Sequence, residues 1–333
     1  MKLSISNFKS IKTLDTDISN LTVLTGLNSS GKSSVIDAFR MIYKQKQQKT
    51  PFLDKQGSFN DLLCEWFDND KKIKFSLKDD KNSYYIDISK TGVEASLEEF
   101  PYKLYYVGAE RLGAQLYSDN LQNLDRYDFT LWANSLKYFN EHKSDIVQSN
   151  ILPKSQEDKA LIYAIEEVFQ NIAPTSKLDV LTLSDVDISS LRINNRRSPN
   201  VGFGISYLFP IVLSLLAFAY QNQTILILEN PEAHIHPKGQ SAIGELIAKV
   251  ANSGTKIILE THSDHIISGI RLAIKEGKIQ KENVKLLFFS LEESERKYLS
   301  KCEEITIDKN GRIAHWPKNF FDQFELDLER LLK

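Results

Sequence analysis

Cysteine is scarce in this sequence. The 333 residues include two, Cys64 and Cys302, far apart and outside any metal-ligand spacing. That excludes a disulfide framework or a zinc site and fits a reducing cytoplasm. A charge excess is missing too: 42 Lys and Arg face 44 Asp and Glu, for a formal net charge of −2. The chain therefore does not hold nucleic acid by overall charge, and only local basic faces remain for that role. The longest apolar run, VLSLLAFAY from Val212, is too short to cross a bilayer. The opening MKLSISNFKS has no apolar stretch followed by a cleavage site, so no secretory leader is expected. No internal repeat is evident.

What is present is ordinary for a globular protein, with 41% hydrophobic and 26% charged residues. The length suits one domain with an insertion, or two domains. Residues 2–8 alternate like a strand, and LTVLTG, Leu21 to Gly26, reads as another. A Gly/Ser loop follows, then a helix from about Lys32 to Tyr43, with YKQKQQKTP read as a polar exit loop. IKFSL and YYIDI flank KDDKNS as a hairpin would. KLYYVGAER looks like a buried strand entering a loop, and Gln115 to Ala173 turns helical. Beyond it, helices from about Ile205, Pro237 and Asp264 alternate with the apolar strands TILIL and KIILE, a pattern for parallel strands covered on both faces. EEITIDKNGRIAHWP reads as a hairpin turning at Asn310-Gly311, and a short amphipathic helix follows from about Asp322.

The motif with most chemical content is GLNSSGKS, Gly26 to Ser33, which fits G-x-x-x-x-G-K-[ST] between a strand and a helix. Such a loop turns backbone N–H groups inward onto phosphate oxygens. Gly26, Asn28, Ser29, Ser30, Gly31, Lys32, Ser33 and Ser34 are the expected cradle, with Lys32 on the β/γ phosphates and Ser33 offering its hydroxyl to Mg²⁺. No N-K-x-D segment is present to read guanine, which favours ATP. Glu229 ends the apolar run ILIL and can hold Mg²⁺; His262 follows KIILE, where it could sense a γ-phosphate. In NVGFGISYLFP, Gly202 and Gly204 open a helix that carries Ser206 in its first turn, a second anion site suited to a partner's triphosphate.

Taken in this order, GLNSSGKS, GFGIS, ILILENPEAHIHP and ETHS resemble the ABC-type ATPase heads of the SMC/RecF/OLD group. NPEAHIHP and ETHSDHIISGIR look most like OLD-type and related bacterial AAA-like ATPases of phage-defence loci, and IDKNGRIAHWPKNFFDQF like the C-terminal segment of one compact subfamily. The resemblance implies an α/β P-loop NTPase head with an antiparallel β lobe and a short helical insertion. The head would comprise residues 1–114 and 176–333, and the insertion 115–175. It implies head-to-tail dimers or higher oligomers around two ATPs, with Ser206 and its glycines as signature loop, Glu229 as Walker B acid, residues 233–236 as D-loop and His262 as switch histidine.

Three departures stand out. Asn230 occupies the place of the catalytic glutamate, Tyr207 a place where related loops often carry glutamine, and no Toprim nuclease of the OLD kind is expected within residues 263–333. The expected water-activating set is then Glu232 as base, Asn230 positioning the water, and His262. Gln56, Asn60 and Asp61 are candidates for the Q-loop. His234 and His236 could pair on a metal or simply pack in the D-loop. Arg192, Arg196 and Arg197 form a solvated basic loop or touch DNA or a trans phosphate, and Arg111 is expected at the dimer interface. The leading reading is a slow ATPase switch for a separate nuclease or toxin effector, cytoplasmic and not membrane-bound. A nucleotide-gated scaffold and a RecF-like repair ATPase acting on DNA stand beside it.

Overall fold

The computed structural model describes residues 1–54, 56–67, 71–80, 82–97, 100–111, 118–119, 128–172, 177–183, 188–194, 196–197, 203–294 and 297–332. In chain order the main elements begin with β1 (Lys2–Phe8), β2 (Ile11–Asp17), β3 (Leu21–Gly26), α1 (Lys32–Gln48), β4 (Ile73–Lys78), β5 (Ser83–Ser89), β6 (Gly92–Ser96) and β7 (Lys103–Val107). Next come α2 (Trp132–His142), α3 (Leu161–Ile172), β8 (Leu178–Leu183), β9 (Ile188–Ile193), α4 (Phe203–Phe218), β10 (Thr224–Glu229) and α5 (Pro237–Asn252). The chain closes with β11 (Lys256–Glu260), α6 (Asp264–Lys275), β12 (Val284–Ser294), β13 (Lys297–Ile305) and α7 (Gln323–Leu331). It divides into two compact units: Met1–Tyr102 with Val284–Asp308 and Ile313–Lys333, and Lys103–Asn283 with Lys309–Arg312.

The first unit contains an antiparallel sheet in the order β2-β1-β4-β5-β6. Alternation sets its buried face: Leu3 and Ile5, then Ile73, Phe75 and Leu77, then Tyr84, Ile86 and Ile88, all under 5% exposed. Phe8 meets Phe75 edge-on at 5.0 Å. Strand β6 is exposed throughout, as an edge strand is. The same unit holds β3 parallel to β12, and β12 antiparallel to β13. The expected hairpin at KDDKNS is present as β4 and β5. The expected polar exit loop is not: α1 runs on through Gln48 and ends at Lys49, which has φ 59. Lys and Gln are good helix formers, so solvent-facing turns made of them extend a helix rather than break it.

The second unit contains the parallel strands β7, β10 and β11. The side chains of Ile225 to Leu228 are fully buried, which explains why the run ILIL does not alternate. Helix α4 is sheathed by α2, α3 and α5. Phe218 at its end stacks on Tyr105 at 3.7 Å. The basic segment LRINNRR forms the end of β9 and a turn at Asn194 with φ 53, where Arg192 pairs with Arg197 across the ladder. Among the described residues, no helix is long and apolar enough to cross a membrane.

Candidate functional site

In the first unit, strand β3 delivers the chain at Gly26 into a loop that ends at the start of α1. Three loop residues sit at positive φ: Gly26 at 127°, Ser29 at 60° and Gly31 at 107°. A side chain at Gly26 would overlap the Phe289 carbonyl, to which the Leu27 N–H donates at 3.2 Å. A side chain at Gly31 would overlap the Ser300 hydroxyl, which is itself bonded to Ser10 at 2.7 Å. Both motif glycines are thus demanded by backbone angle and by space. The Ser30 hydroxyl donates to Leu27 O at 2.7 Å and braces the loop. Lys32 is 3% exposed, and its ammonium donates to Gly26 O at 3.1 Å and Leu27 O at 2.7 Å. No side chain caps the start of α1 at Gly31. Asn28, Ser29 and Ser33 are exposed there. Ser34, expected in the cradle, differs: its hydroxyl is buried and its N–H is used on Gly31 O at 3.1 Å.

In the second unit, the ends of β10 and β11 are tied by one carboxylate. Glu232 accepts from Thr261 Oγ1 at 2.9 Å and from the His262 N–H at 2.7 Å. Burial pushes its pKa above the ordinary value, while the bonds from His262 and Thr261 and the Arg111 charge pull the other way. Asn230 sits at φ 45, with its N–H on Glu260 O at 2.9 Å. Its amide Oδ1 is buried without a hydrogen-bond partner. Glu229 takes the Ala109 N–H on its carboxylate at 3.0 Å. The structure therefore brings Glu232 and His262 together, and holds Glu229 and Asn230 side by side. His262 keeps an exposed side chain.

Ser206 lies in the first turn of α4 and is 3% exposed in the single chain. Gly202 lies outside the described residues. Gly204 has a steric reason: an added Cβ would fall 2.5 Å from His234 O, because the start of α4 runs against the 233–236 turn. The rings of Tyr207 and His234 meet there at a tilt, with centroids 4.6 Å apart. The His pair supports that turn: His236 caps α5, its Nδ1 accepting from Lys238 N at 3.3 Å. Among the described residues, no group of three or more His, Cys, Asp and Glu is placed to hold a metal. Arg111 is 2% exposed and faces the interior. Of the Q-loop candidates, Asp61 is used in capping Ser58, whose N–H reaches it at 2.7 Å, whereas the Gln56 Oε1 is buried without a partner.

Comparison with known proteins places this geometry. A family model described as "AAA domain, putative AbiEii toxin, Type IV TA system" matches residues 21–268. A second, a domain of unknown function (DUF3696), matches residues 279–331. No curated protein matches. Among solved structures, an SMC head bound to the C-winged helix domain of ScpA is 12% identical, with TM-score 0.58 over 92% of this chain and 98% of that one. The SMC head domain from Thermotoga maritima is 13% identical, with TM-score 0.50 over 92% and 98%. A Pyrococcus furiosus SMC head with an extended coiled coil is 11% identical, with TM-score 0.56 over 100% and 99%. Identities this low speak for the fold alone: a mixed α/β P-loop head with antiparallel sheets. With the family model covering most of its length, the chain belongs to the AAA-domain ATPase family that this model describes.

Proposed function

We propose that this protein binds ATP, hydrolyses it slowly, and uses the bound state to associate head to tail and control a separate effector in anti-phage defence. Nucleotide binding rests on the loop from Gly26 to Ser33, whose glycines have no room for side chains and whose lysine already lies along it. Asn28, Ser29, Ser30 and Gly31 would surround the phosphates. By the motif resemblance, Ser33 and Glu229 would each offer a hard oxygen of the kind that suits Mg²⁺, which would neutralise phosphate charge. The defence setting is supported by the matched family's description, which names a toxin of a type IV TA system. The OLD-like motifs in ENPEAHIHP and ETHS point the same way. An effector in trans is suggested by a solved SMC head that binds a ScpA domain. Residues 115–175 would be an insertion on this head.

The observation that carries slow turnover is Asn230. Its buried Oδ1 has no partner, which costs about 1–3 kcal/mol unless something donates to it. A water held by that oxygen would be oriented but not deprotonated, because an amide is no base. Glu232, with its raised pKa, is the nearby group able to take the proton. One observation favours the second reading, a nucleotide-gated scaffold: both Glu232 oxygens already hold donors, as a tether's would. Turnover measured beside Lys32→Ala, with and without DNA, separates the two. Rates equal to that control leave the scaffold. Native mass with and without ATP tests association: the parent should grow with ATP and Lys32→Ala should not. An assembly indifferent to ATP contradicts the switch.

A further inference from the structure

We infer that Arg111 is a positioning residue: its buried guanidinium locks the end of the β10 strand to the first turn of α4, and so fixes where the Glu229 carboxylate stands. The inference rests on the ATPase reading above for the role of Glu229, but its geometry stands without it. Arg111 donates from Nη1 to Glu229 O at 2.8 Å and to Gly108 O at 2.9 Å. It donates from Nη2 to Asn230 O at 2.7 Å and from Nε to Tyr207 O at 3.1 Å. One side chain thus satisfies four main-chain carbonyls from three separate segments. The loop that carries it grips Glu229 a second time, through the Ala109 N–H on the carboxylate.

A charged group this buried is costly unless its donors are used, and these four bonds engage Nε and both terminal nitrogens. The choice of residue type follows. A guanidinium is a planar fork of five donors, whereas an ammonium is a point with three. Lysine at 111 would keep the charge but could not span Tyr207 O and Glu229 O together. The Asn230 carbonyl also takes the Ala233 N–H at 3.1 Å, so the peptide that Arg111 holds begins the turn leading to Glu232. A shift of α4 would therefore reach Glu229 and Asn230 through this fork. Arg111 would touch neither substrate nor metal, and it acts through what it holds.

The test uses Arg111→Gln and Arg111→Lys in the full chain, with Lys32→Ala as control. Three readouts are taken: the melting curve, turnover split into kcat and KM, and the gain in ATP-analogue affinity on adding Mg²⁺. Both variants should melt cooperatively and bind nucleotide without Mg²⁺ like the parent. Both should lose about 10- to 100-fold in kcat and in the Mg²⁺-dependent gain, with little change in KM. Lysine should not rescue. Unchanged kcat and Mg²⁺ gain overturn the inference, as does rescue by lysine, which would mean that charge alone matters. Failure of both variants to fold also overturns it, since the residue would then be structural. If the parent itself shows no turnover, the ATPase reading fails, and the Mg²⁺-dependent gain alone decides the role of Arg111.

Discussion

At Glu232 two effects oppose each other, and pH can separate them. Burial disfavours the charge, while Thr261, His262 and Arg111 favour it, and the net shift is upward. The native state therefore holds this proton more tightly than the unfolded chain. The stability it contributes is complete below the ordinary value of 4.5 and is lost as pH rises through the raised folded value. Melting temperature should fall across that window in the parent, relative to Glu232→Gln. A pH-independent difference between the two proteins rules this out. If Glu232 is the base, the same variant should lose roughly 10²- to 10⁴-fold in turnover while still binding ATP. Ser206 supplies a second residue-scale prediction. Because it is buried, Ser206→Arg should destabilise the fold by about 1–3 kcal/mol or more, seen in urea melts. The sequence shows Ser206 next to motif glycines but not that it is buried, because burial is a three-dimensional fact. Arg111 shows the same gap: one arginine in GAERLG carries no local sign that four carbonyls wait for it.

At the scale of elements, α5 and α6 meet at their glycines. A Cβ at Gly244 would overlap Ile266 O, and one at Gly269 would overlap Ser241 O. The two backbones are closer than any side chain allows, so Gly269→Ala should force them apart. We expect a loss of about 1–3 kcal/mol, measured by thermal or denaturant melting, despite alanine's better helix propensity. A stability equal to or above the parent's would show that the crossing can relax. Elements with a clear signal were legible from the chain: the unbroken apolar runs ILIL and KIILE as buried strands, the helices that follow them, and the turn at Gly311 with φ 71. The long β12–β13 hairpin was not, because LLFFSLEES does not alternate cleanly and its partner strand is rich in charge. The end of α1 was misread for a related reason, since exposed Lys and Gln satisfy a helix and a loop equally.

For the whole molecule, the motif order was enough to indicate the fold, whereas the two compact units were not apparent, since each draws on distant stretches of chain. The effector expectation has a direct check at this scale. Purified protein with Mg²⁺ or Mn²⁺ should leave DNA intact, and cleavage that survives Lys32→Ala would place a nuclease in this chain after all. The pairing of β3 with β12 has a further consequence, for synthesis. Leu21 to Gly26 leave the ribosome roughly 260 residues before their parallel partners, Val284 to Phe289. Loop closure over that span is slow and opposed by chain entropy. The carbonyl of Phe289, which holds Leu27 and leaves Gly26 no room for a side chain, is therefore made long after the loop it shapes. A nascent chain would carry its phosphate-binding motif through all of the intervening residues without the strand that completes it, so competence to bind nucleotide would wait until β12 has been made and has paired.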